Sequence, residues 1–200
     1  MSTTSVLENG LVVDFSPLAT RVSDDEFAEL CRLNPELQFE RTSEGELVIM
    51  SPTGGKTGRR NLKLIVAFGL WAAKDGTGQS FDSSTLFSLP NRARRSPDLS
   101  WIRNDRWDEL SAEQQDEYPP LCPDFVVELR SKSDSVKTLS QKMQEYLDNG
   151  AQLGWLIDPF QHKVHICRPD SVPEVLDNPK QLSGEPLLRD FVLDVQLLWD

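Results

Sequence analysis

Pro123-Asp124-Phe125-Val126-Val127-Glu128-Leu129-Arg130 reads as a central β-strand with a carboxylate inside it. The nearly unbroken apolar run from Phe125 to Leu129 fits a strand covered on both faces. Burying the Glu128 carboxylate there would cost several kcal/mol unless something neutralises it. A side-chain period of two puts Glu128 and Arg130 on one face, so an internal ion pair is one solution. A divalent metal shared with a second acid is the other.

Working outward from this strand, Val136, Leu139, Met143, Tyr146 and Leu147 form the buried stripe of a helix that Gly150 ends. Strands follow at residues 153–157 and 163–167, then a turn-rich stretch after Pro169 and an apolar segment over 191–199. Upstream, residues 99–102 resume a strand after Ser96-Pro97-Asp98, preceded by a basic loop over 90–97 and one or two short strands in 81–89. Residues 107–117 are a polar, partly helical excursion. Leu62, Ile65, Val66, Gly69 and Leu70 mark a long helix over about 57–74 that stops near Gly76. Before it, residues 37–41 and 46–50 form a hairpin through Ser43-Glu44-Gly45, and Ser23-Asp24-Asp25-Glu26 is a capping box opening a helix to about residue 33. The order predicts a mixed sheet flanked by helices, of class α/β (α+β). Residues 1–20 are expected to be an N-terminal arm and 21–200 a single domain.

Composition narrows the function. No run of about 18 apolar residues is present, so no membrane-spanning helix is expected. Met1-Ser2-Thr3-Thr4-Ser5 lacks the basic and apolar regions of a secretory signal, which makes the cytoplasm the expected location. Cys31, Cys122 and Cys167 are widely spaced and read as reduced, packed thiols. His162 and His165, the only histidines, read as lying in one strand, where a separation of three puts them on opposite faces and leaves a Ser-His-Asp hydrolase little to work with.

The net charge of −11 opposes unselective binding of nucleic acid, but its distribution is uneven. Between Leu47 and Ala73 there is no acid, while Lys56, Arg59, Arg60 and Lys63 are all basic. Arg92, Arg94 and Arg95 precede Asp98, and Arg130, Lys132 and Lys137 follow Glu128. One basic face on an acidic body is the expected result.

Pro97 lacks an amide proton and suits a strand's first residue or edge, which holds Asp98 at a strand end. Asp98 and Glu128 on neighbouring strands would offer hard oxygen ligands without histidine or thiolate, a donor set that favours Mg²⁺ or Mn²⁺. Two cations compete for a place beside them. Arg130 has the strand position but stays protonated, whereas Lys142 borders the buried stripe of the following helix and can reach the sheet.

These pieces in this order resemble a large bacterial family of restriction-endonuclease-like proteins within the PD-(D/E)xK nuclease superfamily. The resemblance runs from about residue 23 to 191. It rests on Phe39-Glu40 leading to Gly45-Glu46-Leu47-Val48-Ile49-Met50-Ser51-Pro52, on Ser96-Pro97-Asp98-Leu99-Ser100, on Pro123-Asp124-Phe125-Val126-Val127-Glu128, and on Lys142 and Tyr146 with Gly150 before Trp155-Leu156-Ile157-Asp158. It implies an active-site set of Glu40, Asp98, Glu128 and Lys142, with Asp98 and Glu128 holding Mg²⁺ or Mn²⁺. DNA is the implied partner, Arg94, Arg95, Arg130 and Lys132 are the expected phosphate contacts, and cutting two strands favours a two-fold homodimer.

In the superfamily's simplest pattern a lysine stands two residues after the strand acid, where this chain has Arg130. The leading expectation is therefore a metal-dependent DNA endonuclease. A catalytically degenerate nucleic-acid-binding module of the same fold is the alternative, and a protein-interaction scaffold presenting Trp101, Trp107 and Trp199 is a third.

Overall fold

A computed structural model describes residues 21–199, together with the backbone of two short paired strands, β1 (Val6–Leu7) and β2 (Gly10–Leu11). The rest of the expected N-terminal arm lies outside the described residues. The capping box is present: the Ser23 side chain accepts from the Glu26 amide and the Glu26 carboxylate accepts from the Ser23 amide, opening α1 (Asp24–Leu33). The hairpin follows as β3 (Phe39–Arg41) and β4 (Leu47–Ile49), then α2 (Gly55–Asp75), which ends at Gly76 with φ of 65°. Next come β5 (Gly78–Asp82), β6 (Phe87–Ser88), β7 (Arg94–Arg95) and β8 (Leu99–Arg103). The polar excursion holds two short helices, α3 (Asn104–Trp107) and α4 (Ala112–Asp116). After β9 (Phe125–Leu129) come α5 (Val136–Asp148), β10 (Leu153–Asp158), β11 (Lys163–Cys167) and β12 (Glu174–Asp177). The chain closes with β13 (Gln181–Ser183), β14 (Val192–Asp194) and a 3₁₀ turn over Val195–Leu198.

The main sheet has six strands in the order β12-β11-β10-β9-β8-β5. Among the described strands only β9 and β10 pair in parallel, as a strand-helix-strand crossover through α5 requires. A second sheet of order β4-β3-β7-β6 sits beside it. The short link Ser96-Pro97-Asp98 joins β7 of that sheet to β8 of the main one, so Asp98 lies where the two sheets meet.

Alternation along β9 sorts its side chains between two cores. Phe125, Val127 and Leu129 pack with Leu64 and Phe68 of α2 and with Trp155, Phe191 and Leu198. Val126 packs on the other face with Leu139, Met143 and Tyr146 of α5. Glu128 shares the Val126 face by the period of two, and so looks toward α5.

Gly154 in β10 keeps α5 close, since a Cβ there would stand 2.1 Å from the Met143 sulfur. Gly154→Ala is expected to destabilise the fold by about 1–3 kcal/mol through overpacking. Urea unfolding checks this, and an unchanged midpoint would show that α5 can move outward freely.

Two expectations need correction here. His162 lies in the β10–β11 turn at φ of 53°, not in a strand, so the face argument applies to His165 alone. Trp101 is buried in the main core, and Trp107 and Trp199 are partly buried against hydrophobic clusters, which removes the aromatic support for a scaffold.

Candidate active site

Glu128 is buried, 4% exposed, and stands in the middle of a polar cluster. The Lys142 ammonium lies 2.9 Å from its Oε1 and 2.8 Å from Oε1 of Glu40, bridging the two sheets. The Tyr146 hydroxyl donates to Glu128 Oε1 at 2.9 Å. Lys142 and Tyr146 are four residues apart on α5, so one helical face delivers both. Glu40 is further held by the Ser96 amide at 2.8 Å and by Arg95 at 3.2 Å.

Asp98 is half-buried beside this cluster. Its Oδ2 accepts from the Leu129 amide at 2.7 Å, which ties it to the end of β9, and its Oδ1 accepts from Asn61 of α2 at 3.3 Å. Asp98, Glu128, Glu40 and Lys142 thus come together, along one groove of about 1910 Å³ that Lys56, Arg60, Lys132 and Phe160 also line.

The electrostatics follow from burial and crowding. Desolvation pushes Glu128 up to about 7, with the neighbouring Asp98 and Glu40 charges adding to the rise and Lys142 opposing it. Burial likewise raises Asp98, against the Leu129 amide and the Lys142 charge. For Glu40, burial is outweighed by Lys142 and Arg95, which hold its carboxyl below the usual range. Burial works against charged Lys142, but Glu128 and Glu40 prevail and keep it protonated.

The donor set fits a divalent cation. At the centre of the groove the carboxylates of Glu40, Glu128 and Glu145 pair with Lys142 and Arg95, and Asp98 stands beside them. Asn61 Oδ1 is buried without a hydrogen-bond partner next to Asp98. Among the described residues, no three side chains of Asp, Glu, His or Cys converge on one point. Mg²⁺ usually keeps several waters and takes one or two carboxylates, which Asp98 and Glu128 would supply.

The arginines are arranged differently from the expectation. Arg95 lines the groove, and its guanidinium pairs with Glu145 at 2.6 Å and with Glu40 at 3.2 Å, where it braces the site. Arg94 lies 3.7 Å from Asp24 of α1 and does not line the groove. Arg130 forms no pair with Glu128. The strand ends at Leu129, and Arg130 turns to Asp158 at 2.9 Å and to the Asp134 carbonyl at 3.1 Å, with its guanidinium over the Phe160 ring. Asp158, read from the sequence as a turn residue, does cap Phe160 and Gln161, but it is also the buried partner of Arg130. Lys132 is exposed on the groove.

Sequence reasoning missed Asn61 and Glu145, and gave Tyr146 a place in the buried stripe and in the resemblance but no role in the site. Asn61 sits eight residues before Gly69 on the long helix, with no local feature marking it. A lone hydroxyl in the α5 stripe, four residues beyond Lys142, was the available signal for Tyr146.

A mixed sheet crossed by one strand-helix-strand unit, with acids gathered at the strand ends, defines a restriction-endonuclease-like α/β domain. Residues 24–196 match the Uma2 family, described as "Putative restriction endonuclease", and the chain belongs to that family. The fold is similar to the crystal structure of a putative nuclease belonging to DUF820 from Anabaena variabilis ATCC 29413, with a TM-score of 0.72 and 23% identity over 88% of this chain and 96% of that one. No curated protein matches the chain.

Proposed function

We propose that this protein is a metal-dependent endonuclease that hydrolyses DNA phosphodiester bonds, in the cytoplasm. The observation that carries the reading is the meeting of Asp98 and Glu128, two carboxylates whose protons burial holds more tightly than usual, with Lys142 along one groove.

Asp98 and Glu128 would hold Mg²⁺ or Mn²⁺, which supplies Lewis acidity and a more acidic bound water. The remaining roles fall to the chain itself. Lys142 stays protonated, so it acts as a cation that orients water or a phosphoryl oxygen rather than as a base. Glu40 holds Lys142 and Tyr146 holds Glu128. Lys56 and Lys132 on the groove walls are the phosphate contacts this geometry favours, with Arg60 held in place by the Leu198 carbonyl. Lys142 in this position also answers the departure at Arg130, because the ammonium reaches the strand acid from the helix.

Supercoiled plasmid incubated with Mg²⁺ or Mn²⁺ tests the reading. Cleavage is expected with metal and not with chelator, and Glu128→Ala is expected to lose about 100-fold or more, the scale for removing a preorganised charged group. Equal activity in wild type and Glu128→Ala would overturn it.

A further inference from the structure

Phe160 is 47% exposed in the turn between β10 and β11, where it lines the groove and belongs to none of the hydrophobic clusters. The turn is held in place. Asp158, which is buried, accepts from the Phe160 and Gln161 amides at 2.9 and 3.1 Å and is itself paired with Arg130. At the other end of the turn the His162 carbonyl accepts from the Asn178 amide at 2.7 Å, and the His162 ring stacks on Trp199. Two guanidiniums lie over the Phe160 ring, Arg130 at 5.4 Å and Arg60 at 5.6 Å from its centre, both within the range of a cation–π contact. Each is anchored elsewhere, Arg60 on the Leu198 carbonyl and Arg130 on Asp158 and the Asp134 carbonyl. Fixed side chains thus surround a ring that fills no core.

The groove itself is short of positive charge. Eight carboxylates and five cations line it. Of the cations, Lys142 and Arg95 are paired with acids and Arg60 is held by Leu198, which leaves Lys56 and Lys132 for phosphate. A divalent ion at Asp98 and Glu128 would add two charges and still leave the acids in excess. Duplex DNA presents one phosphate charge per about 1.7 Å of length and a single strand one per about 3.4 Å, so a duplex depends more heavily on a basic surface. A strand with unpaired bases can instead stack them on aromatic rings and guanidinium planes. Exposed Ile49 and Met50, from the second sheet, add apolar surface to the same groove.

We propose that Phe160, with Arg60 and Arg130, is a stacking platform for one base of an unpaired DNA strand, and that the groove takes single-stranded in preference to duplex DNA. The choice of DNA rests on the nuclease reading above. Ile157 of β10 pairs with Leu129 of β9, whose amide holds Asp98, so Phe160, three residues beyond Ile157, stands no more than about 16 Å from Leu129. At about 3.4 Å per nucleotide that is a span of a few nucleotides, which sets the stacked base close to the bond that would be cut. Arg130, at the position of the superfamily's lysine, thereby serves the bases of the substrate rather than the reacting phosphate.

Fluorescence anisotropy with a labelled oligothymidylate, alone or annealed to oligoadenylate, tests the platform. Phosphorothioate linkages resist hydrolysis, so binding is read with Mg²⁺ present. The wild type is expected to bind the single strand about tenfold or more tightly than the duplex. Phe160→Ala is expected to weaken single-strand binding by about 5- to 150-fold, the range for losing one stacked base, and to leave duplex binding unchanged. Phe160→Trp is expected to keep wild-type affinity, and the melting midpoint is expected to hold in both variants because the ring is exposed. Duplex bound as tightly as single strand, or Phe160→Ala binding the single strand like wild type, would overturn the inference. So would a Phe160→Ala loss of equal size on both forms. A melting midpoint that falls in Phe160→Ala while single-strand binding stays intact would do the same, since the ring would then only brace the two arginines. Absence of metal-dependent cleavage, with the oligonucleotide results as expected, would overturn the nuclease reading alone.

Discussion

Lys142→Met is expected to lower folding stability by about 3–5 kcal/mol at pH 8, the range for removing one partner from a buried ion pair. The ammonium sits 2.8 Å from Glu40 and 2.9 Å from Glu128, and the side chain is only 12% exposed. Without it, Glu128 keeps only the Tyr146 hydroxyl as a donor, so ionising it in this apolar setting costs more. The pH dependence follows from the direction of the shift. Glu128 is raised from 4.5 to about 7 in the fold, so the native state binds the proton more readily than the unfolded chain. Its ionisation therefore removes stability as pH rises between those values.

Removing Lys142 raises the Glu128 value further and carries the loss to higher pH. At pH 5.5 the Glu128 carboxyl is neutral, and the remaining cost of Lys142→Met comes from Glu40. That group has the opposite sign. Its carboxyl is held down, so its contribution is present above the ordinary carboxylate range and fades as pH falls through the lowered value. Arg95 and the Ser96 amide still hold Glu40 in the variant, which keeps its share of the loss small. Urea unfolding at the two pH values, in chelator, measures the difference. A deficit that is the same at pH 5.5 and pH 8 would refute this account of the cluster. Adding Glu128→Gln to Lys142→Met is expected to recover part of the loss at pH 8, since both charges of the pair are then gone.

Asp98→Asn is expected to weaken Mn²⁺ binding by about 100-fold or more, on the scale of losing a charged group aimed at a cation. Calorimetry at several pH values gives the check. A ligand carboxylate must lose its proton before it can coordinate. Wild-type affinity is therefore expected to climb by up to about tenfold per pH unit below 7 and to level off above, following the Glu128 proton. At about one hundred times the dissociation constant, bound metal adds about 2.7 kcal/mol of stability. That gain is expected to vanish in Asp98→Asn together with plasmid cleavage. Tight, pH-independent Mn²⁺ binding in Asp98→Asn would place the ion elsewhere.

The two variants separate structure from chemistry. Lys142→Met acts mainly through folding, because the ammonium compensates two buried acids. Asp98 is bound by the Leu129 amide and Asn61, and asparagine keeps an oxygen that can still accept the Leu129 hydrogen bond. Asp98→Asn is thus expected to change metal binding with little change in chelated stability.

Most of the architecture was written in local patterns. The Ser23 to Glu26 capping box, the β3–β4 hairpin, the long α2 and the apolar run of β9 each depend on near neighbours and on turn chemistry, so they could be read from the chain. The same held for the unease of Glu128: an acid among Phe125, Val126, Val127 and Leu129 signals a compensating charge wherever it folds. The resemblance pointed to Lys142 as well, and the structure brings it beside Glu128.

Partners separated by long stretches of chain were the part that sequence could not supply. Arg95 and Arg130 both looked available for phosphate because each follows or precedes a candidate acid in sequence. The structure pairs Arg95 with Glu145, fifty positions away, and Arg130 with Asp158, twenty-eight away. The Glu128–Arg130 pair that the period of two allowed does not form because β9 stops at Leu129, after which alternation no longer governs direction. Alternation along one strand is local and placed Glu128 on the face of Val126. Only the crossover through α5 and the meeting of two sheets at Asp98 decided that Lys142, Tyr146 and Glu40 would share that face, because a strand specifies where its side chains point but not what packs against them.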